Sequence, residues 1–327
     1  MKIICYAVAP LEKHFIMEWA QKNNVEVKTV REELSRDNVN LAKGFDGVSS
    51  EGITPVDSSV YAAFKNFGIK QLAIRQVGVD NQDIQSARMH GITLTNVSVY
   101  SPRAIAEMGI TQAMYLLRKI GIYRNRMAQG NFKFDETTMS TELFNCTVGL
   151  VGAGHIGGAT AQIYKALGAN VLTYDPFYDA SLEPFTTYVD FDTLVENSDI
   201  ISLHTPLLPT TKNIINAQVL KKMKRNSILI NMARGELVET NALIAALEKG
   251  EIAAAGVDTL SNEFEFFGKE NVVTPPIEYE KLRKLPNVLI TPHVAFFTEL
   301  AIKNSIEIAL NDAKTIINGG KSKNIVN

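Results

Sequence analysis

The run Val148-Gly149-Leu150-Val151-Gly152-Ala153-Gly154-His155-Ile156-Gly157 constrains this chain more than any other stretch. Residues 147–151 read as an apolar strand and 158–167 as a helix, so Gly152, Gly154 and Gly157 occupy the turn between them. Each glycine has its own reason. Gly152 permits the tight turn, Gly154 lets a phosphate approach the backbone, and Gly157 lets the helix pack closely on the strand. The helix start, with His155 and Ile156 in its first turn, presents free N–H groups and a positive dipole end to that phosphate. The next strand, 170–174, ends on Asp175. A carboxylate there accepts hydrogen bonds from ribose hydroxyls and repels a 2′-phosphate. The pair of signals specifies a bound dinucleotide, NAD in preference to NADP.

The rest of the chain repeats this alternation. Residues 2–8, 25–30, 45–48, 71–75 and 92–95 read as strands, and 11–23 has a helical apolar pattern. At Tyr100-Ser101-Pro102 a helix start is expected, with Ser101 as N-cap and Pro102 in the first turn, leading into the apolar helix 104–118. Beyond it strands are expected at 147–151, 170–174, 200–204, 227–232, 253–257 and 288–291. Six strands alternating with helices make a doubly wound, parallel-sheet α/β domain. The final helical stretch, 298–317, is expected to cross back onto the first domain. The expected division is residues 1–100 with 299–327 as one discontinuous domain, and 101–298 as the nucleotide-binding domain.

Bulk properties exclude several classes. A length of 327 residues suggests two domains. The net charge is -2, with no long block of one sign, which argues against nucleic acid or a polybasic membrane surface. The two cysteines, Cys5 and Cys146, lie in apolar strand-like runs and read as buried, inert thiols suited to a reducing cytoplasm. No signal-peptide pattern opens the chain, no apolar stretch approaches the ~20 residues of a membrane span, and no metal-ligand spacing is present.

Three further residues stand at the ends of expected strands, the edge where doubly wound sheets bind ligands. Arg234, in Asn231-Met232-Ala233-Arg234-Gly235, offers a planar fork matched to a carboxylate. His293, in Thr291-Pro292-His293, is a candidate acid and base. Asp258 ends the strand 253–257, and Glu263 follows five residues later; an adjacent carboxylate would keep the histidine a proton donor. Reduction of a 2-oxo acid needs these parts: a cation for the carboxylate and carbonyl, a proton donor, and a group that keeps the donor protonated.

With Arg75-Gln76-Val77-Gly78-Val79-Asp80-Asn81, Tyr100-Ser101-Pro102-Arg103-Ala104-Ile105-Ala106-Glu107, His204-Thr205-Pro206 and Gly256-Val257-Asp258-Thr259 added, the chain resembles the D-isomer-specific 2-hydroxyacid dehydrogenases over nearly its whole length. Val99-Tyr100-Ser101-Pro102 and Phe296-Phe297 point to the D-lactate and D-2-hydroxyisocaproate branch. The resemblance implies a flavodoxin-like substrate domain and a Rossmann NAD-binding domain, NAD as cofactor, and a homodimer formed largely through the cofactor domain. It implies that Arg234 binds the substrate carboxylate and carbonyl, that His293 is the acid/base and that Glu263 hydrogen-bonds it. Asp258 would tune the site near the nicotinamide, with Ala233 beside it. Val77 and Gly78 would hold the carboxylate through backbone N–H groups, Tyr100 and Phe296 would line the pocket, and Thr205 and Pro206 would flank the cofactor.

Two features leave the substrate's side chain open. Glu51 stands after residues 45–48, where relatives often carry an apolar or aromatic residue, and the tract 268–276 has no readable conformation. Glycerate, phosphoglycerate or 2-hydroxyglutarate would use the same chemistry. A non-catalytic NAD-sensing corepressor on this fold would be marked by loss of the arginine or the histidine, and both are present.

Overall fold

The computed structural model describes residues 1–52, 54–79 and 81–327; Asp80 of the 75–81 motif lies outside the described residues. The chain divides into two compact units, Met1–Ser101 with Phe297–Asn327, and Pro102–Phe296.

The first unit holds β1 (Lys2–Cys5), α1 (Lys13–Asn23), β2 (Glu26–Thr29), β3 (Gly47–Ser50), α2 (Ser58–Phe67), β4 (Gln71–Ile74), α3 (Ile84–Met89) and β5 (Thr93–Thr95). Its sheet is parallel throughout, in the order β2-β1-β3-β4-β5. That is the flavodoxin-like order, with its switch point between β1 and β3. Successive residues of each strand feed opposite faces. Ile4, Val48, Leu72, Ile74 and Leu94 pack with Tyr61 and Phe64 of α2, while Ile3, Cys5 and Ala73 pack with Phe15, Ile16 and Trp19 of α1.

The second unit holds α4 (Pro102–Leu117), α5 (Ile120–Ala128), β6 (Thr147–Val151), α6 (His155–Ala166), β7 (Asn170–Tyr174), β8 (Thr187–Tyr188), α7 (Phe191–Asn197), β9 (Ile200–Leu203), α8 (Ala217–Lys222), β10 (Ile228–Asn231), α9 (Thr240–Lys249), β11 (Ala254–Val257), α10 (Ile277–Leu282) and β12 (Val288–Ile290). Its parallel sheet runs β12-β11-β10-β9-β6-β7-β8. Outward from β6 this is the doubly wound order of dinucleotide-binding domains, extended by one strand. Val148, Leu150, Ile200, Ile228 and Ile230 pack under α4 and α6; Ile201, Leu203, Leu229 and Val257 pack under α7, α8 and α9. With both faces covered, the strands are apolar at almost every position, which is why they were readable as continuous runs.

The last helix, α11 (Glu299–Ile317), belongs to the first unit. Thr298 caps it by accepting from the Ala301 N–H at 3.3 Å. Its apolar stripe, Ile302, Ile306, Ala309, Leu310 and Ala313, joins the core formed by Ile3, Phe15 and Trp19. The Trp19 indole N–H donates to Asn311 Oδ1 at 2.9 Å, tying α1 to α11.

Observed boundaries differ from the sequence reading mainly at polar positions. β3 spans 47–50 where 45–48 was expected, because Ser49 and Ser50 are buried despite their hydroxyls. The second sheet has seven strands where six were expected, the seventh being the two-residue edge strand β8. The tract 268–276 is turn and irregular backbone, with Gly268 and Asn271 both at positive φ, and it leads into α10. Cys5 and Cys146 are both buried and unpaired, and burial pushes the Cys5 thiol up to about 12. Among the described residues no helix is long and apolar enough to cross a membrane, and no group of three or more His, Cys, Asp or Glu side chains is placed to hold a metal ion.

Candidate active site

The glycine turn joins β6 to α6 at the switch point of the second sheet. Gly152 sits at φ +102°, and a Cβ there would lie 2.7 Å from the His204 carbonyl carbon and 2.9 Å from the Thr205 nitrogen. At Gly157 a Cβ would lie 2.0 Å from the Gly152 carbonyl oxygen. Both places therefore require glycine for protein reasons: the turn, the following helix and the loop after β9 touch backbone to backbone. Gly154 is different. A Cβ there would meet nothing within 4 Å, so no neighbouring protein atom demands a glycine, and the open space beside its backbone leaves room for a phosphate. Gly154 is the N-cap of α6 and supplies no side-chain cap, leaving the first-turn N–H groups at His155, Ile156 and Gly157 for an anion.

Asp175, immediately after β7, accepts the Ala153 N–H at 2.7 Å and the Phe177 N–H at 2.8 Å. Each carboxylate oxygen keeps a further lone pair, so the group can fix the glycine turn and still accept ribose hydroxyls. These residues fit a dinucleotide. Thr205 and Pro206 begin the loop after β9, where Thr211 Oγ1 donates to the Pro206 carbonyl at 2.6 Å. His204, beside Gly152, is held down to about 4 by burial, and its Nε2 lies 2.9 Å from Ser202 Oγ. It is neutral at physiological pH and a packed residue, not a second acid.

Arg234 follows β10 through a turn that Asn231 organises. The Asn231 side chain accepts the Ala233 N–H at 3.1 Å and donates to the Arg234 carbonyl at 2.8 Å. The next residue, Gly235, packs so tightly that a Cβ would lie 2.1 Å from the Leu260 carbonyl carbon. That contact sets the arginine turn against the loop after β11, which carries Glu263. Arg234 is half-buried, and its Nη1 donates to the Ala233 carbonyl at 2.8 Å.

Glu263 and His293 meet. His293 Nδ1 and Glu263 Oε1 are 2.5 Å apart, and Glu263 Oε2 accepts the Leu260 N–H at 2.8 Å. The carboxylate is thus fixed by its own turn before it engages the ring. With Nδ1 turned to Glu263, Nε2 is the ring atom left to exchange a proton with a substrate. The Phe296 ring stands edge-on to the imidazole, centroids 6.4 Å apart.

Asp258, expected near the cofactor, is buried, and its carboxylate faces the turn that bears the histidine. It accepts from the Thr291 hydroxyl, from the Val294 N–H at 3.0 Å and from the Ala295 N–H at 2.9 Å. In the first unit, Val77 and Gly78 follow β4, where Asn96 Nδ2 donates to the Val77 carbonyl at 2.7 Å. Tyr100 follows β5, its carbonyl accepting from Asn304 on α11 at 2.8 Å. Asn231 was not singled out in the sequence, although its place before Ala233 and Arg234 marks it: a polar side chain ending a fully buried strand has to satisfy the turn that follows.

Residues 110–295 match the family model for the D-isomer specific 2-hydroxyacid dehydrogenase NAD binding domain. The chain is 40% identical to the D-lactate dehydrogenase of Lactiplantibacillus plantarum over 326 residues, 98% of each chain. It superposes at TM-score 0.92 and 48% identity on the NAD-complexed D-isomer specific 2-hydroxyacid dehydrogenase of Lactobacillus delbrueckii ssp. bulgaricus, covering 100% of both chains. It superposes at 0.93 and 46% identity on the D-lactate dehydrogenase of Lactobacillus jensenii solved with NAD+, again covering 100% of both. A glycine turn shaped for a dinucleotide and a carboxylate-bound histidine on one sheet edge therefore accompany full-length similarity, and the chain belongs to the D-isomer-specific 2-hydroxyacid dehydrogenase family.

Proposed function

We propose that the protein is an NAD-dependent D-2-hydroxyacid dehydrogenase of the D-lactate type, reducing pyruvate or a related apolar 2-oxo acid and running in reverse on the D-hydroxy acid. The observation that carries this reading is the 2.5 Å contact between His293 Nδ1 and Glu263 Oε1 on the sheet edge that also bears the glycine turn. Bound NADH would supply the hydride. His293 Nε2 gives its proton to the oxygen that becomes the hydroxyl, and takes it back in oxidation. Glu263 stabilises the imidazolium and fixes the ring. Arg234 holds the substrate carboxylate and polarises its carbonyl. Gly152, Gly154, His155, Ile156 and Gly157 bind the pyrophosphate, Asp175 the ribose, and Thr205, Pro206, Ala233 and Asp258 shape the cofactor's surroundings. Val77, Gly78, Tyr100 and Phe296 complete the proposed substrate set. We also place the enzyme in the cytoplasm as a homodimer, the redox setting its two free thiols suit.

The test is a panel of initial rates with NADH and pyruvate, 2-oxoisocaproate, phenylpyruvate and 2-oxoglutarate, with the chirality of each product determined. Turnover of pyruvate or 2-oxoisocaproate to the D-isomer is expected, and His293→Ala is expected to lower kcat by roughly 10²–10⁴ with NADH binding retained. An L-product, or wild-type turnover by the His293 variant, refutes the assignment.

A further inference from the structure

His293 has a backbone conformation uncommon outside glycine, φ +54°, and its hydrogen bonds show what holds it there. Its N–H is shared between the Asp258 carbonyl at 2.8 Å and the Thr291 carbonyl at 3.0 Å. The Asp258 carboxylate then takes the Thr291 hydroxyl on one side of the histidine, and the N–H groups of Val294 and Ala295 on the other. One buried carboxylate thus brackets the whole turn.

The bracket is braced from the opposite layer. Gln112 lies in the middle of α4, buried, where its neighbours along the helix face are Met108 and Leu116. Its Nε2 is 2.8 Å from Thr291 Oγ1. The direction of this bond follows from the chain of donors. An aspartate carboxylate only accepts, so the single Thr291 hydroxyl proton goes to Asp258, and the hydroxyl must accept from Gln112. Gln112 therefore forbids the hydroxyl rotor from turning away from Asp258. The sheet makes room for it: a Cβ on Gly256 in β11 would lie 2.5 Å from Gln112 Oε1. A glutamine buried in an apolar helix face, with a glycine cut out of the strand opposite, is a costly arrangement for packing alone.

Resting on the acid/base reading of His293, we infer that Gln112 and Thr291 are positioning residues, which act through Asp258 to hold the 291–295 turn in the geometry that presents His293 to Glu263. Without this brace the turn relaxes, the contact between Nδ1 and Glu263 lengthens, and the imidazolium loses its stabilising carboxylate. The loss appears both in rate and in the ring N–H signal that the Glu263 contact creates.

The experiment compares wild type with Gln112→Met, Thr291→Val and Thr291→Ser. Two quantities are read: kcat for pyruvate reduction, and the downfield Nδ1–H proton resonance of the hydrogen bond from His293 to Glu263, followed by NMR in the cofactor-free protein and identified by its loss in His293→Gln. Gln112→Met and Thr291→Val are expected to lower kcat on the order of 10- to 100-fold, the scale of a small misplacement of a reacting group. In both, that resonance moves upfield or is lost to solvent exchange, with NADH affinity by fluorescence retained. Thr291→Ser, which retains the hydroxyl, restores both. An unmoved resonance in Gln112→Met and Thr291→Val overturns the inference, even where rates fall, since the histidine then still meets Glu263 as in the wild type. If Gln112→Met does not fold, Thr291→Val against Thr291→Ser decides alone. The two readings also separate: a His293→Gln variant that stays active defeats the acid/base reading, whereas the NMR resonance tests the brace without reference to turnover.

Discussion

Around Arg75 three carboxylates compete for one guanidinium. Arg75 is buried; its Nη2 donates to the Tyr6 and Ala7 carbonyls at 2.8 and 3.0 Å, and its Nε lies 3.5 Å from Glu12 Oε1. Glu51, whose position in the sequence left its orientation open, turns inward. Burial pushes its carboxyl up to about 7, against the pull of Arg75 and with the repulsion of Glu12 and Glu33 added. Glu33 is pushed up as well, again chiefly by burial. A raised carboxyl has a definite sign in stability. Between the ordinary value of 4.5 and about 7 the folded protein holds a proton on Glu51 that the unfolded chain releases. Stability therefore falls as pH rises through that window, and the deficit is complete above it. Glu51→Gln removes the deficit. Urea midpoints from pH 5 to 8 should show a flatter profile in the variant, and at pH 8 a gain on the order of 1–3 kcal/mol. Glu33 leaves a residual slope of the same sign. Parallel profiles for wild type and variant would show that Glu51 does not carry the penalty.

At the scale of elements, what the sequence disclosed was what burial writes into it. Strands β6 and β7 were placed to the residue, because each has an apolar centre and ends where the chain needs a turn. Helix α5 left no such trace. None of its residues is buried, and it is separated from α4 by Lys119 at φ +53°, so neither periodicity nor a glycine announces it. The site behaves similarly. Arg234, Glu263 and His293 could be named because their chemistry is rare at strand ends, and the structure does join Glu263 to His293. That Asp258 serves the histidine's turn could not be read, since a hydrogen bond to a backbone N–H 37 residues away has no local signature. Asp175 shows how one side chain can serve an element and a ligand together. It hooks the Ala153 N–H of the glycine turn, so the acid proposed to select the cofactor also shapes the turn proposed to bind the phosphates. NADPH should have a kcat/KM about 10²-fold below that of NADH, the 2–3 kcal/mol scale of a screened like-charge contact. Asp175→Ser should narrow that gap and also weaken NADH, because the Ala153 N–H loses its acceptor. A variant with improved NADPH use and undiminished NADH affinity would show that the hook to Ala153 does not matter.

For the whole molecule, the distribution of apolar surface bears on the proposed homodimer. The second unit carries large exposed side chains from the start of α5 to the start of β6: Ile120, Met127, Phe132, Phe134, Met139 and Phe144. Phe132 and Phe134 are 74% and 81% exposed, in a segment without regular secondary structure. Scattered apolar side chains are ordinary on a monomer, but two such phenylalanines within three residues, followed by Met139 and Phe144, are not. Each would bury on the order of 150–200 Å² against a partner, and a cluster of that size supplies the apolar centre of a standard interface. The segment itself is held by polar contacts that leave its aromatic rings outward: Arg126 pairs with Asp135 at 3.1 Å, and Lys119 Nζ donates to the Thr137 carbonyl at 2.9 Å. A second copy of this chain is the partner the family resemblance implies, and a twofold axis would bring the same segment from both protomers together. Sedimentation equilibrium of the wild type should give twice the protomer mass. The double variant Phe132→Asp with Phe134→Asp should shift the protein to monomer, because two charges at the centre of an apolar patch are buried at a cost of several kcal/mol. Circular dichroism at the same concentration would separate dissociation from unfolding. A double variant that remains dimeric places the interface elsewhere, and a wild type that sediments as a monomer at micromolar concentration removes the dimer altogether.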